Sequence, residues 1–87
     1  MTEIPLNKLS IGDVAEVVTV QGTGQGQRRI LDMGLVPGTK LKMVRTAPLG
    51  DPVEFIVRGY ALTLRKQDAA NVIVHIVEHG RLESEQG

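Results

Sequence analysis

The side chains best suited to binding a metal ion lie close together near the end of the sequence: His75, Glu78 and His79. The surrounding Val-Ile-Val-His-Ile-Val pattern is typical of a β-strand, on which both histidines point to one side with Cα atoms roughly 13 Å apart. A single ion needs ligand atoms at about 2 Å, so the two histidines of one chain do not share one. We expect no required cofactor and assign no metal residue. Weak divalent metal binding, or a site shared between two chains, stays open.

Residues suited to nucleophilic catalysis are scarce. The chain has no cysteine, and its serines are Ser10 and Ser84. Neither serine is placed by the sequence beside a histidine that could activate it. We therefore assign no catalytic residue and expect the chain not to be an enzyme.

Three glycines, Gly22, Gly24 and Gly26, resemble in composition a phosphate-binding loop. No Lys-Ser or Lys-Thr follows them and no βαβ pattern surrounds them, so a flexible connector is the better interpretation. Nucleic-acid binding is also disfavoured, because sheet surfaces that bind single strands use several aromatic side chains as stacking platforms. This chain has only Phe55 and Tyr60, and we expect no nucleic-acid partner.

The elements that must position these residues are mostly strands. Apolar runs rich in β-branched residues are separated by turn residues at the spacing typical of an all-β sandwich or barrel. A short helix is predicted over residues 27–33, ended by Gly34, and a single helical turn over 67–71. Tight turns are predicted at Val36-Pro37-Gly38 and at Arg58-Gly59. The predicted strands cover residues 14–20, 40–45, 53–57, 60–64 and 72–77.

Five short strands are best closed into a small SH3-like barrel, because closure removes exposed strand edges. The fold class is therefore all-β with short helical segments. We expect one domain over residues 1–79 and a flexible polar tail over residues 80–87. The alternation of the strands places the following residues in the core: Val14, Leu41, Phe55, Leu62 and Val74.

Charge and location can also be predicted from composition. The net charge is zero, but residues 28–66 carry eight basic against three acidic side chains, a segment charge of +5. The absence of cysteine suits a reducing compartment. The N-terminus lacks the basic start and apolar run of a signal peptide, and no apolar run is long enough to span a membrane. We expect a cytoplasmic protein without membrane insertion, with self-association left open.

Several motifs, taken in order, closely resemble the FeoA family. They are Leu6-x-x-Leu9-x-x-Gly12, the stretch Arg28-Arg29-Ile30-Leu31-Asp32-Met33-Gly34-Leu35-Val36-Pro37-Gly38, Pro48-Leu49-Gly50-Asp51-Pro52, and Arg58-Gly59-Tyr60-x-Leu62-x-Leu64-Arg65. The resemblance covers residues 6–77. It implies a small SH3-like cytosolic accessory of bacterial ferrous iron uptake that binds and assists the cytosolic part of the membrane permease FeoB.

A second interpretation follows from the same resemblance. A related SH3-like domain forms the C-terminal part of iron-dependent repressors of the DtxR type, which would make the chain a regulatory interaction module. The sequence shows no preceding helix-turn-helix, and this favours the transport accessory.

The candidate partner-binding residues are Pro48, Leu49, Arg58 and Lys42. Leu49 lies in a turn where an apolar side chain is expected to be exposed, and Pro48 and Pro52 stiffen that turn. A stiff loop loses less entropy when a partner holds it. Arg58 and Lys42 of the basic strand would steer the surface toward an acidic patch. The alternative is that Leu49 only covers the open end of the barrel.

Overall fold

The computed structural model describes residues 2–80, which form six strands and two short helices. Neither helix in this part of the chain has the length and apolar character that a membrane crossing requires. A single turn of 3-10 helix, Leu6–Lys8, separates the first two strands. The elements are β1 (Glu3–Pro5), β2 (Val14–Val20), α1 (Gly24–Asp32), β3 (Lys40–Thr46), β4 (Val53–Val57), β5 (Tyr60–Leu64), α2 (Lys66–Ala69) and β6 (Val72–Glu78).

All strand pairs are antiparallel, and the strands lie side by side in the order β1-β6-β2-β3-β4-β5. The predicted fold class, a small all-β SH3-like domain with short helical segments, is confirmed. The strand count was wrong, because β1 adds a sixth strand along β6. Within residues 2–80 the sheet is curved but not closed by hydrogen bonds, and β1 and β5 form its two edges.

The core lies inside the curved sheet and is aliphatic apart from one ring. Phe55 is fully buried, and Leu41 and Val74 are buried as predicted. Leu62 is half-buried and packs against this core, whereas Val14 is half-buried and was wrongly placed in it. For Val14 the reason is a register shift in β2 between Val17 and Thr19, which changes the inward parity along the strand, so that Ala15 and Val17 face the core and Val14 does not.

Helix α1 begins earlier than predicted. Gly24 and Gly26 lie in its first turns, so the interpretation of this stretch as a flexible connector was wrong. Two contacts compensate for the poor helix propensity of glycine: the Gln27 side-chain amide donates to the Val20 carbonyl at 2.8 Å, and Ile30 is buried in the core. The last helical residue is Asp32, one before the predicted Met33, and Gly34 follows with φ at +106° as the left-handed residue predicted to terminate the helix.

The predicted turns are present. Gly38 has positive φ, and Thr39 N–H donates to the Val36 carbonyl at 3.1 Å, as expected of a type II turn. Arg58 and Gly59 both have positive φ and connect β4 to β5 in a two-residue hairpin.

Asp13 ties the two ends of the described chain together, a role that was not predicted from the sequence. Its buried carboxylate accepts hydrogen bonds from the backbone N–H groups of Ser10 at 2.9 Å and Gly80 at 2.6 Å. Gly80 also lies against the backbone of Gly12, where a Cβ atom would approach to 2.6 Å. The chain is therefore held as far as Gly80, and the rest of the predicted tail lies outside the described residues.

Candidate partner-binding surface

Leu49 is the most exposed large apolar residue among the described residues, with 96% of its surface accessible. It lies in the loop between β3 and β4. A leucine with this exposure shields almost no apolar surface, so it does not cover the end of the sheet. Its side chain is available to another molecule.

The loop that carries Leu49 is fixed by hydrogen bonds at its base. Ala47 N–H donates to the Pro52 carbonyl at 2.9 Å, and Gly50 N–H donates to the Ala47 carbonyl at 2.7 Å. The Asp51 carboxylate accepts a hydrogen bond from the backbone N–H of Lys66 at 2.9 Å, which ties the loop to the start of α2. The loop is therefore held in one arrangement before any partner arrives.

The structure does not bring all four predicted residues together. Pro48 and Leu49 precede β4, whereas Arg58 follows it, so the length of that strand, about 17 Å, separates them. Lys42 pairs with Ile56 and lies nearer to Arg58. The charged rim around Leu49 is thus not made by Arg58.

Other residues lie near Leu49 instead. A shallow pocket beside its loop is lined by Asp51, Pro52, Thr63 and Arg65. A Cβ atom at Gly50 would lie 3.6 Å from the Lys66 ammonium nitrogen. Arg65 and Lys66 are the two basic residues near Leu49. Because their positions depend on how β5 and α2 pack, the sequence alone could not show that they belong to this surface.

Arg45 is also near this loop, but its charge is already compensated. Its guanidinium donates to the Glu54 carboxylate at 2.7 Å across the β3–β4 pair. An exposed ion pair of this kind is worth about 0–1 kcal/mol, and it lowers the positive charge that a partner meets.

Lys42 lies in a row of outward-facing residues that crosses five neighbouring strands. The row runs Glu78, Val14, Lys42, Ile56 and Ala61. Lys42 is exposed, and Val14 and Ile56 flank it. The row therefore combines one basic side chain with apolar neighbours.

The two histidines have different neighbours. His75 lies on β6, where its ring nitrogen Nε2 is 3.6 Å from the Glu16 carboxylate of β2. His79 follows the end of β6 and lines a small surface pocket with Thr2, Ile4 and Ile76. Within residues 2–80 there is no group of three or more His, Cys, Asp or Glu side chains that could hold a metal ion.

Known proteins resemble this chain along most of its length. The family model of the FeoA domain matches residues 4–76. An FeoA-like protein from Clostridium acetobutylicum has 36% identity and a TM-score of 0.85, covering 95% of this chain and 99% of that one. Stenotrophomonas maltophilia FeoA, crystallised with zinc and described as a prokaryotic SH3 domain protein, has 30% identity and a TM-score of 0.71, covering 80% and 87%.

A curated relative from Porphyromonas gingivalis is a fusion of Fe(2+) transport protein A with the Fe(2+) transporter FeoB. It is 42% identical over 72 residues, which are 83% of this chain and 8% of the fusion protein. The chain therefore spans only a small part of that relative's length.

A manganese-dependent transcriptional repressor shares the fold, with a TM-score of 0.79 over 88% of this chain and 42% of that one. At 14% identity this likeness is one of fold alone. The FeoA family model, by contrast, matches nearly the whole described chain, residues 4–76, and the chain therefore belongs to the FeoA family.

Proposed function

We propose that the chain is a cytosolic accessory protein of bacterial ferrous iron uptake that binds and assists an FeoB-type permease. The observation that carries this proposal is the fusion of a 42% identical domain to FeoB in one polypeptide of P. gingivalis. Joining two modules with a linker gives them a high effective concentration, on the order of millimolar for short linkers. A fusion is therefore most useful to modules that act on one another.

The chain acts by binding and not by catalysis. An 87-residue domain has little room for a deep site, and the pockets on its described surface are shallow. Its most distinctive surface feature is instead an apolar side chain on a fixed loop. Because the loop is already held by Asp51 and Pro52, little conformational entropy is lost when a partner contacts Leu49.

Ferrous iron uptake by living cells tests this function. A bacterial strain that lacks this chain but keeps the permease is expected to take up ferrous iron more slowly than its parent. A plasmid with the wild-type chain restores uptake, and so does Ile11→Ala, a matched control at another exposed apolar residue. Leu49→Ala restores less. Uptake at the parental rate in the deletion strain would contradict the proposal.

A regulatory module related to the C-terminal domain of DtxR-type repressors is the second candidate. The repressor likeness favours it at the level of fold. It predicts that deleting the chain changes the transcription of iron-responsive genes while the permease keeps its rate of uptake. Measuring transcript levels alongside uptake in the same strain separates the two functions.

A further inference from the structure

The two edge strands of the sheet differ in how they are protected. Strand β1 has three residues, of which one is charged and one is proline. Charge, proline and short length are the features by which proteins block the addition of another strand at a sheet edge. Strand β5, Tyr-Ala-Leu-Thr-Leu, has five residues and none of these features.

The backbone of β5 alternates between bonded and free groups. In a two-residue hairpin the residues next to the turn, here Val57 and Tyr60, exchange backbone hydrogen bonds, and every second pair along the ladder does the same. Tyr60, Leu62 and Leu64 therefore bond to β4. The N–H and C=O groups of Ala61 and Thr63 point away from β4, and both residues are exposed.

Basic side chains flank this open edge. Arg58 precedes β5 in the hairpin turn, and Arg65 follows it directly. Among the described residues, Arg29 and Arg45 form ion pairs with Asp68 and Glu54, but neither Arg58 nor Arg65 is within 4.0 Å of a carboxylate. Each end of the edge therefore presents a cationic group that is not compensated by an ion pair.

We propose that the β5 edge binds an extended acidic segment of a partner protein as an added β-strand. Backbone hydrogen bonds to Ala61 and Thr63 supply the pairing, and Arg58 and Arg65 select carboxylates near the two ends of the segment. The spacing fits a segment of about five to seven residues. If the partner is the permease, this inference rests on the proposed function.

The added strand would continue onto the surface around Leu49. Thr63 and Arg65 line the shallow pocket whose other wall is formed by Asp51 and Pro52 of the Leu49 loop. A strand that passes Thr63 therefore reaches the pocket and then the loop. The edge of β5 and the Leu49 loop form one continuous docking surface, with backbone pairing along β5 and an apolar contact at its end.

Amide hydrogen exchange measured by NMR tests the added strand residue by residue. The probe is the cytosolic part of an FeoB-type permease. If that protein does not bind, the probe is a six-residue peptide of alternating threonine and glutamate with blocked ends, compared with its threonine and lysine counterpart. On binding, exchange of the Ala61 and Thr63 amides is expected to slow by about tenfold or more, since these N–H groups gain acceptors. The amides of Tyr60, Leu62 and Leu64 change less, because they already bond to β4.

Proline substitution gives a second readout. Ala61→Pro and Thr63→Pro each remove an outward N–H at an edge position where proline is compatible with a strand. Each is expected to weaken binding of the probe about tenfold. Thr2→Pro, which adds the same ring beside the opposite edge, is the matched control and keeps the affinity of the wild type.

The outcomes separate the inference from the proposed function. Permease binding without protection of Ala61 and Thr63 overturns the added strand and leaves the proposed function in place. Protection by the glutamate peptide when the permease does not bind supports the added strand and counts against the permease as partner. Equal protection by the lysine peptide overturns the inference that the added strand is acidic. Protection that rises with the concentration of the chain alone also overturns it, because a second copy of the chain then occupies the β5 edge.

Discussion

Gly34 ends helix α1 in a conformation that other residues adopt only with strain, and the helix end is also where α1 meets β5. Its φ is +106°, and a Cβ atom there would lie 2.6 Å from the Tyr60 hydroxyl oxygen. That hydroxyl donates a hydrogen bond to the Met33 carbonyl at 2.6 Å. Replacing Gly34 with alanine therefore strains the backbone and also displaces the Tyr60 ring.

The magnitude of the Gly34→Ala effect follows from these two contributions. A non-glycine residue with positive φ costs about 1–2 kcal/mol. The end of the Tyr60 ring moves easily, but its movement breaks the bond to Met33, worth about 0.5–1.5 kcal/mol. The substitution is expected to lower the free energy of unfolding by about 1.5–3.5 kcal/mol, and the melting temperature by about 6–28 °C.

A double-mutant cycle measured by urea unfolding separates the two contributions. Tyr60→Phe alone is expected to cost about 1 kcal/mol by removing the hydrogen bond to Met33. Gly34→Ala in the Tyr60→Phe background should then cost only the backbone strain, about 1–2 kcal/mol, because the hydroxyl is gone. If Gly34→Ala lowers the free energy of unfolding equally in the wild type and in Tyr60→Phe, the proposed collision with the Tyr60 hydroxyl is refuted. If it lowers the free energy of unfolding in neither protein, the backbone strain is refuted as well.

Three other predictions concern the fold. Phe55→Ala removes the largest fully buried side chain and is expected to lower the free energy of unfolding by about 3–5 kcal/mol. That loss is enough for circular dichroism to show partial unfolding at room temperature. An unchanged spectrum and melting temperature would contradict the assigned core. Arg58 has positive φ, which strains a residue other than glycine, asparagine or aspartate. Arg58→Asn should therefore raise the free energy of unfolding by about 0.5–1 kcal/mol in a thermal melt. A lower free energy of unfolding would contradict strain at Arg58. Divalent metal is not expected to be needed for folding, so a chelator should leave the melting temperature unchanged, and a fall of several degrees would show that the histidines hold a structural ion.

Local turn chemistry made part of the fold predictable. Gly34, Gly38 and the Arg58-Gly59 pair each occupy a turn position that needs positive φ, and such positions can be identified without knowing the rest of the structure. Strand β1 could not be identified in this way, since it has only three residues and is defined by pairing with β6 some 70 positions later. The inward residues of β2 were missed because a register shift changes which side faces the core.

The helix start and the binding surface needed tertiary information for a similar reason. The early start of α1 at Gly24 depends on a hydrogen bond from Gln27 to Val20 and on burial of Ile30, neither of which is a property of the glycine-rich segment itself. The exposure of Leu49 was predictable from the prolines around it. That Arg58 lies a strand's length from Leu49, and that β5 is an edge, follows only from the order of the strands.

We propose that this FeoA-family chain binds the cytosolic part of an FeoB-type permease through the surface around Leu49. Titration calorimetry with that cytosolic part tests this binding. The wild type, Leu49→Ala and the Ile11→Ala control are compared after thermal melts show that the three proteins have the same melting temperature. The wild type and the control are expected to bind saturably, and Leu49→Ala to bind about tenfold or more weakly, because the interface loses most of a buried leucine side chain. No binding by the wild type, or equal affinity for Leu49→Ala, would contradict it.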